Sequence, residues 1–231
     1  MTKKKIEYWV IAPESDGEFV ASMEDVLATY AMPYNKAIPV ICMNEQPVQL
    51  LKETRQAIPA TINHPQRVDY EYERGGTASI FMFTEPLSRW RAVKVRPQRK
   101  KIDWAQEIEE LLRTKYEKVE KIILVCDNLN THTHGAFYEA FLPEKAREIV
   151  KPIEFRYTPK HGSWLNVAEN ELSGMTRKCL NKRRIGDIIT LQEEVEGWAN
   201  PVNDSEKGVD WQFTINDARL KLKSIYHKIK Y

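Results

Sequence analysis

Three stretches of the chain carry residues able to hold a hard cation. The run Ile122-Ile-Leu-Val-Cys-Asp127 is apolar until it stops at Asp127, and Ile38-Pro-Val-Ile-Cys-Met-Asn44 stops the same way at Asn44, with Glu45 next to it. A Pro/Gly-punctuated loop, Thr158-Pro-Lys-His-Gly162, opens a predicted helix that carries Glu169 in its first turns. Oxygen ligands converging from strand ends and a helix suit phosphodiester cleavage by two divalent cations about 3.5–4 Å apart, one ion activating the attacking oxygen and the other stabilising the leaving one. Mg²⁺ prefers such ligands and keeps several waters, so a few carboxylates on rigid elements suffice. Asn44 departs from that pattern. Its carbonyl can ligate a cation, but it brings no charge and its amide end offers donors that repel a metal. Glu45, next along a strand, is expected on the opposite face and so does not replace it.

The elements that must position these residues follow from periodicity. Gly17 to Ala31 has Phe19, Met23, Val26, Leu27 and Tyr30 at helical spacing. Ile38 to Met43 reads as a central strand closed by Asn44, and Gln46 to Pro65 as a long polar connection. Val68 to Glu73 alternates and stops at Gly75-Gly76, the signature of a hairpin, with strands resuming at Thr77 to Thr84 and Trp90 to Val95. A helix over Ile102 to Tyr116, a buried strand Ile122 to Cys126, a helix over Thr133 to Phe141 and a short strand Ile153 to Tyr157 follow. The helix carrying Glu169 is expected over Trp164 to Leu180. Leu165, Ala168, Leu172, Met175 and Cys179 form its apolar stripe, so Glu169 falls one position off it, at the edge of the buried face. Further helices are expected over 190–200 and 215–228. Three antiparallel strands followed by alternating helices and parallel strands predict an α/β, ribonuclease H-like mixed sheet flanked by helices. Residues 1–16 read as an N-terminal arm or linker and 17–231 as the domain.

Composition bounds the partners. The 231 residues, 42% hydrophobic and 29% charged, suit a soluble globular protein with a sizeable core. Apolar runs fall well short of the roughly 20 residues that span a bilayer. The Lys-rich start does not resemble a secretory signal, which predicts a cytoplasmic, nucleoid-associated location and no membrane partner. Cys42, Cys126 and Cys179 are too sparse for a zinc site or a disulfide framework and read as buried thiols. The formal charge is only +2, yet Arg89, Arg91, Lys94, Arg96, Arg99, Lys100 and Lys101 crowd one stretch and Arg177, Lys178, Lys182, Arg183 and Arg184 another. Flanking an acidic site, such clusters favour DNA phosphates as partner.

The runs Val40-Ile-Cys-Met-Asn-Glu-Gln-Pro47, Leu124-Val-Cys-Asp-Asn-Leu-Asn-Thr-His-Thr133 and Tyr157-Thr-Pro-Lys-His-Gly-Ser-Trp-Leu-Asn-Val-Ala-Glu169 strongly resemble the DDE-type catalytic domain of bacterial insertion-sequence transposases in the mariner superfamily. The likeness extends through Asp69-Tyr-Glu-Tyr-Glu-Arg-Gly75 and Asp210-Trp-Gln-Phe-Thr214. It implies catalytic and metal-holding roles for Asp127 and Glu169 and maps the family's first Asp onto Asn44. It also implies Mg²⁺, with Mn²⁺ as substitute, DNA strand cleavage and strand transfer at element terminal repeats and into target DNA, and a homodimer on DNA. Asn44 should impair cleavage. The family's N-terminal helix-turn-helix portion is expected to be missing from this chain, because the residues before Gly17 leave no room for it.

His161 is a candidate for contact with the scissile phosphate or for fixing its loop, and Trp164 for base stacking, although core packing is favoured. Arg96, Arg99, Arg177 and Lys178 are the remaining DNA-binding candidates. His132 and His134 read as helix-opening residues rather than ligands, Asn128 and Asn130 as orienting Asp127 or lining a groove, and Glu171 as turned about 200° away from Glu169. A nuclease-dead DNA-binding or assembly module derived from a transposase is the alternative that Asn44 favours. A ribonuclease H or junction resolvase would explain the carboxylates but not the Ser-Trp-Leu-Asn-x-x-Glu context.

Overall fold

The computed structural model describes residues 16–228. The arm expected over 1–16 therefore lies almost wholly outside the described residues. Five strands form one sheet in the order β3-β2-β1-β4-β5. β1 (Val40–Glu53), β2 (Tyr72–Glu85) and β3 (Trp90–Arg96) run antiparallel, and β4 (Ile122–Asp127) and β5 (Ile153–Thr158) add on in parallel beside β1. The mixed α/β, ribonuclease H-like architecture expected from the element order is the one observed.

Strand alternation sorts the core into two layers. Val40 and Cys42 of β1 and Ile123 and Val125 of β4 face a layer filled by α1 (Gly17–Tyr30), α5 (Val167–Met175) and α6 (Ile188–Asp204). Ile41 and Met43, with Ile122, Leu124 and Cys126, face α2 (Lys101–Thr114), α3 (His134–Ala140) and α4 (Pro143–Val150). Both sides are covered, so the central strands read as continuous apolar runs. The helix α4 escapes the periodicity reading, although Pro143 at its first turn is a helix-opening signal. Two short helices, α7 (Ile215–Lys221) and α8 (Lys223–Lys228), stand where one was expected, separated at Leu222.

Two expectations fail near the hairpin. β1 does not close at Asn44 but continues to Glu53, so the connection spans only 54–71, with bridges Ile58–Arg67 and Thr61–His64. β4 pairs β1 only over residues 40–42. Beyond that point β1 pairs β2 alone, where a strand tolerates Pro47. Nor do Gly75 and Gly76 make a turn. β2 runs through both, with a bulge opposite Leu50 and Leu51 and Gly76 at φ +103°. A Cβ at Gly75 would stand 2.4 Å from the Gly186 carbonyl oxygen. These glycines mark a bulge and a close backbone approach, signals that in sequence look like a hairpin.

Among the described residues no helix is long and apolar enough to cross a membrane. Cys42, Cys126 and Cys179 are all free and buried as expected, and burial pushes the Cys42 thiol up to about 12.

Candidate active site

Position 44 and position 127 meet through sheet register. Val40, Ile41 and Cys42 lie opposite Ile123, Leu124 and Val125, so continuing the register by two residues places Asn44 opposite Asp127. Asn44 follows Val40 and Cys42 onto the α5 side, and Asp127 follows Ile123 and Val125 there. The expectation of strand ends holds for Asp127, which ends β4, whereas Asn44 sits inside β1 where that strand loses its parallel neighbour.

Glu169 reaches the same face because α5 is tied along β1 at both ends. Asn166, fully buried, caps the helix by accepting the Ala168 N–H at 3.1 Å, and its Nδ2 donates to the Met43 carbonyl at 2.8 Å, one residue before Asn44. Beyond the helix, Thr176 Oγ1 donates to Gln46 Oε1 at 3.0 Å. The Tyr30 hydroxyl donates to the Leu165 carbonyl at 2.8 Å and adds α1 to the anchor. Glu169 lies three residues past the Asn166 cap, about 4.5 Å along the axis. It is half-buried, at the edge of the apolar face where its spacing put it. The helix is shorter than the Trp164–Leu180 expectation: Ser163–Leu165 form a 3₁₀ turn and Thr176–Leu180 a π turn around a nine-residue α5. Asn directly before a helix is a capping signal, hidden when the helix is drawn from Trp164.

Glu171 points elsewhere, as its rotation requires. It makes a paired contact with Arg91, from Nε to Oε2 at 3.0 Å and from Nη2 to Oε1 at 3.1 Å, with side chains only 8% and 1% exposed. Arg91 also donates to Asn203 Oδ1 at 3.3 Å and to the Lys207 carbonyl, and Trp198 covers it at 5.9 Å. Arg91 is thus a buried anchor of α5, not a DNA contact. Three of the other six basic residues in that stretch are paired with acids. Lys94 pairs with Glu110, Lys101 with Glu139, and Arg96 with Glu107 at 2.5 Å and with Gln106 at 2.9 Å. Arg96 is therefore committed within the fold, while Arg99 is exposed. Arg177 and Lys178 are exposed and have no ion-pair partner among the described residues, whereas Arg183 and Arg184 hold Glu194 and Glu53.

The loop before α5 presents His161 to solvent with φ +64°, a left-handed conformation that few non-glycine residues adopt. Trp164 is 37% exposed and meets Phe213 edge-on at 5.6 Å, so the expected core packing is only partial. Asn128 and Asn130 are exposed beyond β4. His134 opens α3, as read. His132 does not open a helix: it is fully buried between Glu45 and Asp127, with Nε2 3.1 Å from Glu45 Oε1 and Nδ1 2.5 Å from Asp127 Oδ1. The second contact has the closeness of an ion pair without the angles of a hydrogen bond, and Asp127 Oδ1 has no hydrogen-bond donor. Burial works to lower the His132 pKa, but the two carboxylates outweigh it and raise the group to about 9. Glu45 is on the far face, as alternation demands, and is committed to this histidine.

The donor set can be tested for a cation. Glu169 Oε2 is a buried carboxylate oxygen without a hydrogen-bond partner, which is costly unless a positive group satisfies it, whereas Asp127 Oδ1 already lies against the His132 ring. The oxygen atoms suit a hard divalent ion. Position 44 is weaker: Asn44 Oδ1 already accepts the Glu45 N–H at 2.8 Å. Among the described residues no group of three or more His, Cys, Asp and Glu stands ready to hold a metal. The residues fit a divalent cation at Asp127 and Glu169, with the Asn44 carbonyl as a third, neutral donor.

Comparison with known proteins bears on this arrangement. The model of the family described as "DDE superfamily endonuclease" matches residues 39–192, well over half of the chain and inclusive of all three positions. The chain belongs to the DDE superfamily endonucleases. No curated protein matches it in sequence. Among solved structures this DDE endonuclease is similar to the Mos1 mariner paired end complex with Mn, at 14% identity and TM-score 0.60, covering all of this chain and 68% of that one. It is also similar to the Mos1 strand transfer complex, at 13% identity and TM-score 0.61, over 97% of this chain and 65% of that one. A pre-cleavage Mos1 transpososome matches at 13% identity and TM-score 0.58, over 99% and 67%. The chain thus spans about two thirds of the length of these neighbours. At these identities the likeness establishes the shared fold.

Proposed function

We propose that the chain is the catalytic domain of a DDE transposase that cleaves DNA at element ends and transfers the freed strand to target DNA, with cleavage weakened by Asn44. The observation that carries this reading is the orphaned, buried Glu169 Oε2 on the helix packed along β1, with Asn44 of β1 in line with Asp127 of β4 by continuation of the sheet register. Asp127, Glu169 and the Asn44 carbonyl would hold Mg²⁺, or Mn²⁺ in its place. Ions held there would supply activation of the attacking oxygen and stabilisation of the leaving one. The chain's own residues have simpler tasks. Asp127 and Glu169 supply negative charge from a strand and a helix that are each tied to β1, so the geometry costs little reorganisation. His161, Trp164, Arg99, Arg177 and Lys178 line the approach of the DNA backbone, with DNA ends paired in a homodimer. The solved neighbours described with Mn or Mg, and their paired end complexes, support this assignment of ion and partner.

A neutral residue at position 44 removes one of three anionic ligands, and this favours a second reading, a nuclease-dead module that binds DNA and assembles ends. Cleavage of terminal-repeat duplex in Mg²⁺ separates the two. The Asn44→Asp chain should cleave at least about a hundred-fold faster than the native chain, with the gain abolished by adding Glu169→Gln. Equal activity of the native and Asn44→Asp chains removes the impaired-site reading, and no cleavage by either favours the assembly module.

A further inference from the structure

A buried polar chain crosses the sheet behind the candidate active site, and none of its side chains except Asp127 has a task in cation binding as proposed. Glu45, next to Asn44 but on the opposite face, has a side chain only 2% exposed. Its Oε1 lies 3.1 Å from Nε2 of His132, whose other ring nitrogen lies 2.5 Å from Asp127 Oδ1 and 3.3 Å from the Asp127 carbonyl. The imidazole cannot turn freely, because it stacks on Trp104 at 5.2 Å and 28°. Its backbone is fixed as well. The His132 N–H donates to the Leu129 carbonyl at 3.0 Å, and the His132 carbonyl accepts from the Tyr157 hydroxyl at 2.8 Å. An acid and an imidazole inside an apolar layer cost free energy that nearby aliphatic side chains would not.

Asp127 ends its strand, and beyond it the chain is exposed through Asn130. Without a partner the carboxylate would be free to rotate. The imidazole abuts one of its oxygens from behind and leaves the α5 side open. Two consecutive residues of β1 are thus related to Asp127, Asn44 through the continued sheet register and Glu45 through the imidazole.

We propose that His132 and Glu45 are positioning residues that fix the Asp127 carboxylate for cation binding, Glu45 acting through the imidazole from the opposite face of the sheet. The proposal rests on the reading of Asn44, Asp127 and Glu169 as the cation site. Partners that orient a ligating side chain from behind commonly change metal affinity by about 10- to 100-fold. It also accounts for the failure of Glu45 to stand in for a missing acid at position 44: its carboxylate is already engaged.

The test is titration of Mn²⁺ alone into Asn44→Asp chains carrying Glu45→Ala, Glu45→Gln, His132→Gln or Asp127→Asn, and into the Glu45→Ala/Asp127→Asn combination, each first shown to be folded by circular dichroism at the titration temperature. Glu45→Ala is expected to weaken Mn²⁺ binding about ten-fold, and Glu45→Gln, which keeps an acceptor for the imidazole, to recover most of that loss. In the Asp127→Asn background Glu45→Ala should have no further effect, an outcome that general loosening of the fold would not give. If Glu45→Ala does not fold, His132→Gln takes its place in the same comparison. Unchanged affinity in the folded variants, or an equal loss with and without Asp127, overturns the positioning role. If Asp127→Asn itself leaves Mn²⁺ binding unchanged, the cation-site reading fails, and the positioning role fails with it.

Discussion

Replacing Glu171 by Gln should damage the fold and spare the cation site, while replacing Glu169 by Gln should do the reverse, although the two acids are two residues apart on one helix. Glu171 holds both oxygens against Arg91, and the pair is almost completely shielded from water. Gln keeps the shape of the side chain and removes its charge. The guanidinium then stays buried with only Asn203 Oδ1, the Lys207 carbonyl and one amide oxygen as acceptors. Breaking such a pair by removing one partner costs about 3–5 kcal/mol. That is a large fraction of the roughly 5–15 kcal/mol that stabilises a typical native protein. At about 2–4 °C per kcal/mol for a chain of this size, the melting temperature should fall by roughly 10 °C. Glu169 is half-buried and its orphaned oxygen gains nothing from charge when no cation is bound, so Glu169→Gln should leave unfolding nearly unchanged. Urea unfolding in EDTA reads the first effect and Mn²⁺ titration at low temperature the second. Replacing Arg91 and Glu171 together by Leu should restore most of the lost stability, because an apolar pair carries no desolvation penalty. Equal destabilisation by Glu169→Gln and Glu171→Gln, or a Glu171→Gln chain as stable as the native one, would refute the division of roles.

Other outcomes follow from the same geometry. In EDTA, the charged His132 stabilises the fold fully below its unfolded pKa near 6.5, and this contribution is lost as pH rises through about 9. Urea unfolding from pH 6 to pH 10 should therefore show a loss of roughly 3 kcal/mol that is absent from His132→Gln, and parallel profiles for the two chains would contradict it. Gly75→Ala should destabilise by about 1–3 kcal/mol, since its Cβ would press on the Gly186 carbonyl and force the bulge to shift, whereas a merely permissive turn glycine would show little change. Replacing exposed Arg177 and Lys178 by Ala should weaken duplex binding across unrelated sequences and lower the salt slope by about 2, one unit for each phosphate no longer neutralised, while Arg96→Ala should act mainly on stability through Glu107. An unchanged salt slope for the Arg177 and Lys178 variant removes them from the DNA path.

Much of the architecture was legible in the sequence because local pattern and tertiary environment agree. Ile122 to Cys126 is apolar throughout since β4 is covered on both faces, and the stripe of α5 put Glu169 at the edge of its buried face. Such patterns carry element type and facing, and from them the ribonuclease H-like order and the three candidate positions followed. What escaped depends on where the backbone goes next. Gly75-Gly76 looks the same in sequence whether a chain turns back or bulges past another backbone, and only the nearness of Gly186 decides between them. Pro47 argues for a strand end until one sees that β4 has already left that side of β1. Charge is likewise local in sequence and pairwise in space: Arg91 and Arg96 sit in a basic stretch, but Glu171 and Glu107, far along the chain or on the next helix, neutralise them. His132 and Glu45 lie 87 residues apart, and no spacing rule joins them. The sequence by itself determined which residues have the chemistry for a cation and which elements bear them. The tertiary structure decided which charges are engaged in holding the fold and which remain for a ligand, because burial and pairing are set by contacts between distant segments.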